Sequence, residues 1–199
     1  MRKEFEKSIK KAKQLIYKMA DPDHNLIHIK SVVDFAIEIS KQYPEVDSDL
    51  IEVAAWWHDV GRLYDDGSHE KTSAEMAKKS LEDLNVESKI SSKVYLAIIF
   101  HRWSMKPKTL EGEIIRDADK LDFISIPRWE SCLKRKDFKD LRTKADLLPR
   151  LRDEILHLQI SRKIFDREIA KFENFIKNIK NRNFFNASAA RTLPALAGG

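Results

Sequence analysis

An all-α fold is predicted by three properties of the sequence. Apolar residues recur at three- and four-residue spacing through most of its 199 residues. Only five Gly and six Pro interrupt that pattern, while leucine, isoleucine, lysine and glutamate are abundant. No segment alternates apolar and polar residues convincingly enough to read as a strand.

Taken in order, residues 3–19 predict a charged amphipathic helix with Phe5, Ile9, Ala12, Ile16 and Met19 on one face. Asp21-Pro22-Asp23 ends it and begins the next. From His24 to Tyr43, residues Ile27, Val32, Val33, Ala36, Ile37 and Ile39 keep helical spacing, and Pro44 closes the run. Asp47 or Ser48 caps a third helix extending to about Leu63. Its apolar run from Ile51 to Val60 marks it as the central, most buried helix. After the loop Tyr64–Ser68, helices are expected from His69 to Leu84, from Glu87 to Phe100, and from Glu111 to Ile124, with Pro107 separating the last two. Asp146 to Asn181 predicts a long C-terminal helix or a helix pair broken near Pro149, with leucines, isoleucines and phenylalanines spaced to pack on the domain or a second subunit. Residues 1–185 are expected to form a single domain with N- and C-terminal helices. Beyond Phe185 the composition turns to small residues, and 186–199 are expected to be a flexible tail or a cloning remnant.

Composition bounds the function. The 42% hydrophobic content suffices for a real core. The single Cys132 cannot form an intramolecular disulfide, and no leader or run of about 18 apolar residues is present, so a reducing cytoplasm and no membrane contact are expected. The net charge of +5 comes from 37 basic residues interleaved with 32 acidic ones. That balance suits an anionic small molecule and ranks a nucleic-acid partner low, because no basic face is gathered.

The most informative residues are His58 and Asp59, which interrupt the apolar run Val53–Val60. A buried imidazole beside a buried carboxylate is costly unless both are paired, hydrogen-bonded or bound to a cation. With His28 upstream and Asp119 downstream, in the motifs His28-Ile-Lys-Ser-Val-Val-Asp-Phe-Ala36, His58-Asp-Val-Gly-Arg62 and Asp117-Ala-Asp-Lys-Leu-Asp122, the chain resembles the HD-domain metal-dependent phosphohydrolases over residues 20–125. Residues 145–180 resemble the C-terminal helices of a small bacterial or archaeal subfamily. The resemblance implies a compact HD-domain helical bundle and a metal held by His28, His58, Asp59 and Asp119. In the family pattern the ligand is the aspartate directly before lysine, hence Asp119 rather than Asp117. His69-Glu70 and Ile98-Ile-Phe-His101 are similar to the histidine motifs that some members add.

Imidazole and carboxylate ligands without cysteine suit manganese, cobalt, nickel, iron or zinc in an open site rather than a structural zinc. On one helix His58 and Asp59 would point about 100° apart, so a shared ion would sit at the helix edge. One or two ions are compatible with the residues. Two would add His69 and His101, with Asp59 spanning both; with one, these histidines would contact phosphate or move protons. Asp59, His69 and His101 are therefore the catalytic candidates, and Arg62 and Lys120 the phosphate-binding ones. Arg102, Lys71 and Arg128 read as solvated basic residues. Asp117 reads as a partner orienting an imidazole, His24 as an ordinary residue, and Trp56 and Trp57 as core. Trp103 could line the pocket.

The expected activity is hydrolysis of a nucleotide phosphoester by metal-activated water, with nucleoside di- or triphosphates ranked before monophosphates. The alternatives are a metal- or nucleotide-binding module without turnover and a di-iron oxidative enzyme on the same core. Deleting residues 186–199 is expected to leave turnover unchanged in a phosphate-release assay, and a large loss would refute the assignment of no chemistry to that segment.

Overall fold

The computed structural model describes residues 1–19, 21, 24–135 and 145–181. Two of the three residues of the Asp21-Pro22-Asp23 stop, and the whole of 186–199, lie outside the described residues. Those described are helical with no strand, as the pattern predicts. They divide into two compact units, Met1–Asp119 and Lys120–Gly199.

The first unit holds α1 (Lys3–Ile16), α2 (Leu26–Ser40), α3 (Ser48–Trp57), a 3-10 turn (Val60–Leu63), α4 (His69–Glu82), α5 (Ser88–Ile99) and most of α6 (Leu110–Leu121). Side chains set the helix starts. Asn25 accepts a hydrogen bond from Ile27 N at 2.8 Å to cap α2, and Asp47 accepts from Asp49 N and Leu50 N to cap α3. Asn85, at φ 61°, ends α4 in the left-handed region, where its own N–H reaches Glu82 O and that of Val86 reaches Leu81 O. The apolar run makes α3 the central helix: it packs on α1, α2, α4 and α5, and Ile51, Val53, Ala54, Ala55 and Trp57 are fully buried.

One polar chain crosses this core. Trp57 Nε1 donates to Ser8 Oγ at 3.0 Å, and Ser8 Oγ is 3.0 Å from Ser80 Oγ, so α1, α3 and α4 share it.

Helix α3 stops at Trp57, six residues short of the expectation. The cause is Asp59, whose φ of −113° and ψ of 2° leave the α region before the 3-10 turn begins. Gly61 makes the next step possible. A Cβ there would stand 2.3 Å from His69 O and 2.7 Å from Ser73 N, so only glycine lets the turn lie against α4, where Gly61 N donates to Ser73 Oγ at 2.8 Å.

The second unit comprises a 3-10 turn (Asp122–Ile124), α7 (Ile126–Arg135), α8 (145–150), a π-helical turn (Leu151–Ile155) and α9 (Gln159–Asn181). Trp129 is buried edge-on against Phe172, with ring centroids 4.9 Å apart, and its Nε1 donates to Phe123 O at 2.8 Å. Helix α7 is absent from the sequence-based expectation, although Ser125 ahead of Pro127 is a start signal; Ser125 is extended and its carbonyl accepts from Arg128 N and Trp129 N. The C-terminal break falls at Leu156 rather than Pro149. Leu156 is extended, and its carbonyl accepts both Nε and Nη2 of Arg162, at 3.1 and 3.0 Å, which pins the bend.

Replacing Ser8 by alanine would leave the Trp57 indole N–H buried without an acceptor. The expected loss is about 1–3 kcal/mol of unfolding free energy, read by chemical denaturation; an unchanged midpoint would remove the polar chain from the account of the core.

Candidate metal centre

The break after Trp57 takes Asp59 off the regular helix path. His58 is the last residue in α conformation and is fully buried; Asp59 follows in the bridge region and is 2% exposed. The expected 100° divergence along one helix therefore does not apply. The remaining groups come from other elements: His28 from the first turn of α2, His69 from the first residue of α4, His101 from just beyond α5, and Asp119 from α6.

The two oxygens of Asp59 look to two different sets of nitrogens. Toward Oδ2 lie His28 Nε2 at 3.4 Å and His58 Nε2 at 3.6 Å; those nitrogens are 3.3 Å apart, and Asp119 Oδ1 is 3.5 Å from His28 Nε2. Toward Oδ1 lie His69 Nε2 at 3.3 Å and His101 Nε2 at 3.6 Å. Atoms held at about 2.1 Å from one ion stand roughly 3.0 Å apart at octahedral angles and roughly 3.4 Å at tetrahedral ones. Both sets match that spacing, and each forms a group able to hold a cation. We call them the inner (Oδ2) and outer (Oδ1) positions.

Tautomers are fixed by backbone carbonyls, which can only accept. His58 Nδ1 donates to Ala55 O at 2.7 Å, His101 Nδ1 to Ile98 O at 2.7 Å, and His69 Nδ1 to Asp66 O at 3.1 Å. Each carbonyl lies three residues back, so local chain geometry turns every Nε2 lone pair inward. Protonation states agree with ligand use. Burial pushes the His58 imidazole down to about 3, against the pull of Asp59, and also lowers His69. Burial by itself would raise the Asp59 carboxyl, but the imidazoles of His58, His101 and His28 around it hold it well below the usual carboxylate range. Asp59 Oδ1 is buried and has no hydrogen bond. An orphaned carboxylate oxygen facing neutral imidazoles fits a divalent ion, and a transition metal suits the nitrogen-rich donor set.

The other sequence candidates have the following surroundings. Arg62 Nε stands 3.1 Å from Asp59 Oδ1, its Nη2 is 3.1 Å from His69 Nε2, and its Nη1 pairs with Asp66. Arg102 donates to Gly67 O at 2.9 Å and lies 3.4 Å from buried Glu70. Lys71 is exposed and 3.9 Å from Glu75. Asp117 is fully buried, 3.5 Å from Arg116. Trp56 and Trp57 are buried and Trp103 is 38% exposed. Lys120 opens the second unit; there, Arg128 pairs with Asp122 at 2.8 Å. Two residues were undervalued by sequence. His24 Nε2 lies 3.9 Å from Asp59 Oδ2, with its Nδ1 on Asp21 at 2.7 Å, and Glu70 Oε2 is buried 3.5 Å from His69 Nδ1. Only their adjacency to ligand-bearing motifs could have flagged them.

A helical unit whose broken central helix presents a histidine–aspartate pair to histidines from neighbouring helices defines a class of metal-binding fold. The HD domain family model matches residues 25–124, and the chain belongs to that family. Its fold is similar to a predicted HD superfamily hydrolase from an uncultured Thermotogales bacterium (22% identity, 89% of this chain and 91% of that one, TM-score 0.67). It is also similar to the Lin1889 protein of Listeria innocua (21%, 90% and 96%, 0.62) and to Bacillus subtilis YpgQ, solved in complex with ADP (17%, 90% and 95%, 0.59). A tRNA (cytidine(56)-2'-O)-methyltransferase of Thermoplasma volcanium is 27% identical over 116 residues, which are 54% of this chain. The chain spans about a third of the length of that curated relative.

In protein stripped by chelation and reloaded with manganese, Asp59→Ala is expected to retain no stoichiometric ion, whereas His101→Ala keeps one. Metal analysis after dialysis reads both, and the reverse pattern would overturn the shared role of Asp59.

Proposed function

We propose that this chain is a metal-dependent phosphohydrolase acting on nucleotides, with nucleoside di- and triphosphates ahead of monophosphates. The observation that carries the proposal is the shared carboxylate: Asp59 turns one oxygen to His28 and His58 and the other to His69 and His101. Membership of the HD domain family and the fold shared with an HD superfamily hydrolase support hydrolysis, and a similar fold solved with ADP supports a nucleotide. The methyltransferase likeness covers 34% of that protein and leaves methyl transfer with it.

In this proposal His28, His58, Asp59 and Asp119 would hold a divalent ion, which would supply a water of lowered pKa and polarisation of a phosphoryl oxygen. His69 and His101 present Nε2 to the reacting phosphate, to orient it or to pass a proton. Arg62, already beside Asp59, and Lys120, next to Asp119 in sequence, neutralise phosphate charge. No helix among the described residues is long and apolar enough to cross a membrane. A cytoplasmic setting for the whole of 1–185, folded as one domain, completes the proposal.

The test is phosphate and pyrophosphate release from nucleoside mono-, di- and triphosphates, cyclic dinucleotides and guanosine alarmones, using chelated protein reloaded with manganese, cobalt, nickel, iron or zinc. Turnover with di- or triphosphates that falls at least about a thousandfold in Asp59→Ala, in line with removal of a group central to charge stabilisation, is the expected result. A metal-loaded protein silent across the panel would move the assignment to a binding module or to oxidative di-iron chemistry, the latter read by dioxygen consumption.

A further inference from the structure

We infer that Arg62 is a built-in cation occupying the outer ion position, and that a second metal ion binds there only by displacing it. The inference rests on the metal-centre assignment above and specifies how the two positions differ.

A single lone pair decides which cation sits in the outer position. His69 Nδ1 donates to Asp66 O at 3.1 Å, so its proton is committed to that nitrogen and Nε2 carries the ring's one free lone pair. Arg62 Nη2 lies 3.1 Å from that Nε2 and, as a guanidinium nitrogen, can only donate to it. The same side chain sets Nε 3.1 Å from Asp59 Oδ1, the outer oxygen. A metal in the outer position needs that lone pair and that oxygen, each at about 2.0–2.2 Å. One lone pair cannot serve a guanidinium N–H and a metal together. The cation that faces the outer half of Asp59 is therefore part of the chain.

Two further features fit an arm rather than a fixed strut. Arg62 Nη1 pairs with Asp66, whose side chain is 79% exposed, so withdrawal from the cluster leaves the guanidinium with a carboxylate at the rim. Arg62 itself is only 16% exposed, and its guanidinium stays charged in place. The inner position is built differently. His28 Nε2, His58 Nε2 and Asp59 Oδ2 converge there at 3.3–3.6 Å, and the His58 and Asp59 side chains that supply two of these atoms are at most 2% exposed. The chain thus has one position ready for an ion and one that an ion must win from an arginine, and Arg62 once released is free to meet a substrate phosphate.

The experiment is a manganese titration of chelated full-length protein, by calorimetry with metal analysis of dialysed samples. Wild type is expected to bind one ion tightly and a second at least about tenfold more weakly, a gap of about 1.4 kcal/mol. Arg62→Ala is expected to tighten the second ion at least about tenfold and leave the first unchanged. Arg62→Lys keeps the charge but not the two-pronged reach, so its second ion should fall between. His69→Ala should lose the weak ion and keep the tight one. An outer affinity that is unchanged or weaker in Arg62→Ala, two equal ions in wild type, or a weak ion that survives in His69→Ala would overturn the inference. Should Arg62→Ala not fold, Arg62→Lys decides it, a second ion bound no more tightly than in wild type overturning the inference. Absence of any bound ion in wild type would instead refute the metal centre itself.

Discussion

Everything distinctive about this molecule follows from placing one carboxylate, Asp59, in a buried position with its two oxygens facing two sets of imidazoles. On a regular helix the neighbouring His58 and Asp59 would diverge by about 100° around the axis, which leaves only the helix edge for a shared ion. The chain meets the constraint by abandoning the helix at that residue: α3 ends at Trp57, Asp59 adopts bridge-region dihedrals and a 3-10 turn follows. Such a break in a core helix frees backbone groups that must find partners. They find them locally, with Arg62 N on Asp59 O and Tyr64 N on Gly61 O.

The support for this break lies in close packing rather than in charge. Gly61 approaches the start of α4 to a distance that no side chain allows, and the Ser73 hydroxyl accepts its N–H. The contact ties the start of α4, which carries His69, to the turn that follows Asp59, so the spacing between these two side chains is set by backbone. The imidazoles are treated the same way. Three of them are anchored through Nδ1 to a carbonyl three residues earlier, which fixes ring orientation before any ion arrives.

Much of this was legible in the sequence, and the gaps have physical reasons. The all-α class and the burial of the 51–60 run followed from apolar spacing, which reports burial directly. His58 and Asp59 stood out because two polar groups in such a run demand a partner. The unwinding at Asp59 was hidden, since nothing in Trp57-His58-Asp59-Val60 disfavours a continuing helix; the reason to stop lies in groups 10 to 60 residues away. His24 was undervalued because its neighbours are ordinary helix-start residues, and its approach to Asp59 depends on where α2 lies against α3. The start of α7 was present in Ser125 and Pro127 but stood beside a motif whose ligands drew the interpretation to function.

Protonation completes the argument for why this cluster can be both stable as a fold and open to an ion. Seen without a cation, a buried ionised carboxylate is expensive, and burial would ordinarily protonate it. Here the imidazoles of His58, His101 and His28 hold the Asp59 carboxyl well below its usual range against burial, while burial keeps His58 and His69 neutral, so their lone pairs remain available. Protonating the imidazoles would also offset the carboxylate, but it would consume the lone pairs that coordination needs. The cluster has taken the alternative of keeping imidazoles neutral and placing Arg62 against Asp59. An ion that binds this arrangement and not the unfolded chain adds its binding free energy to folding. An ion held by these residues would therefore also stabilise the central helix of the first unit.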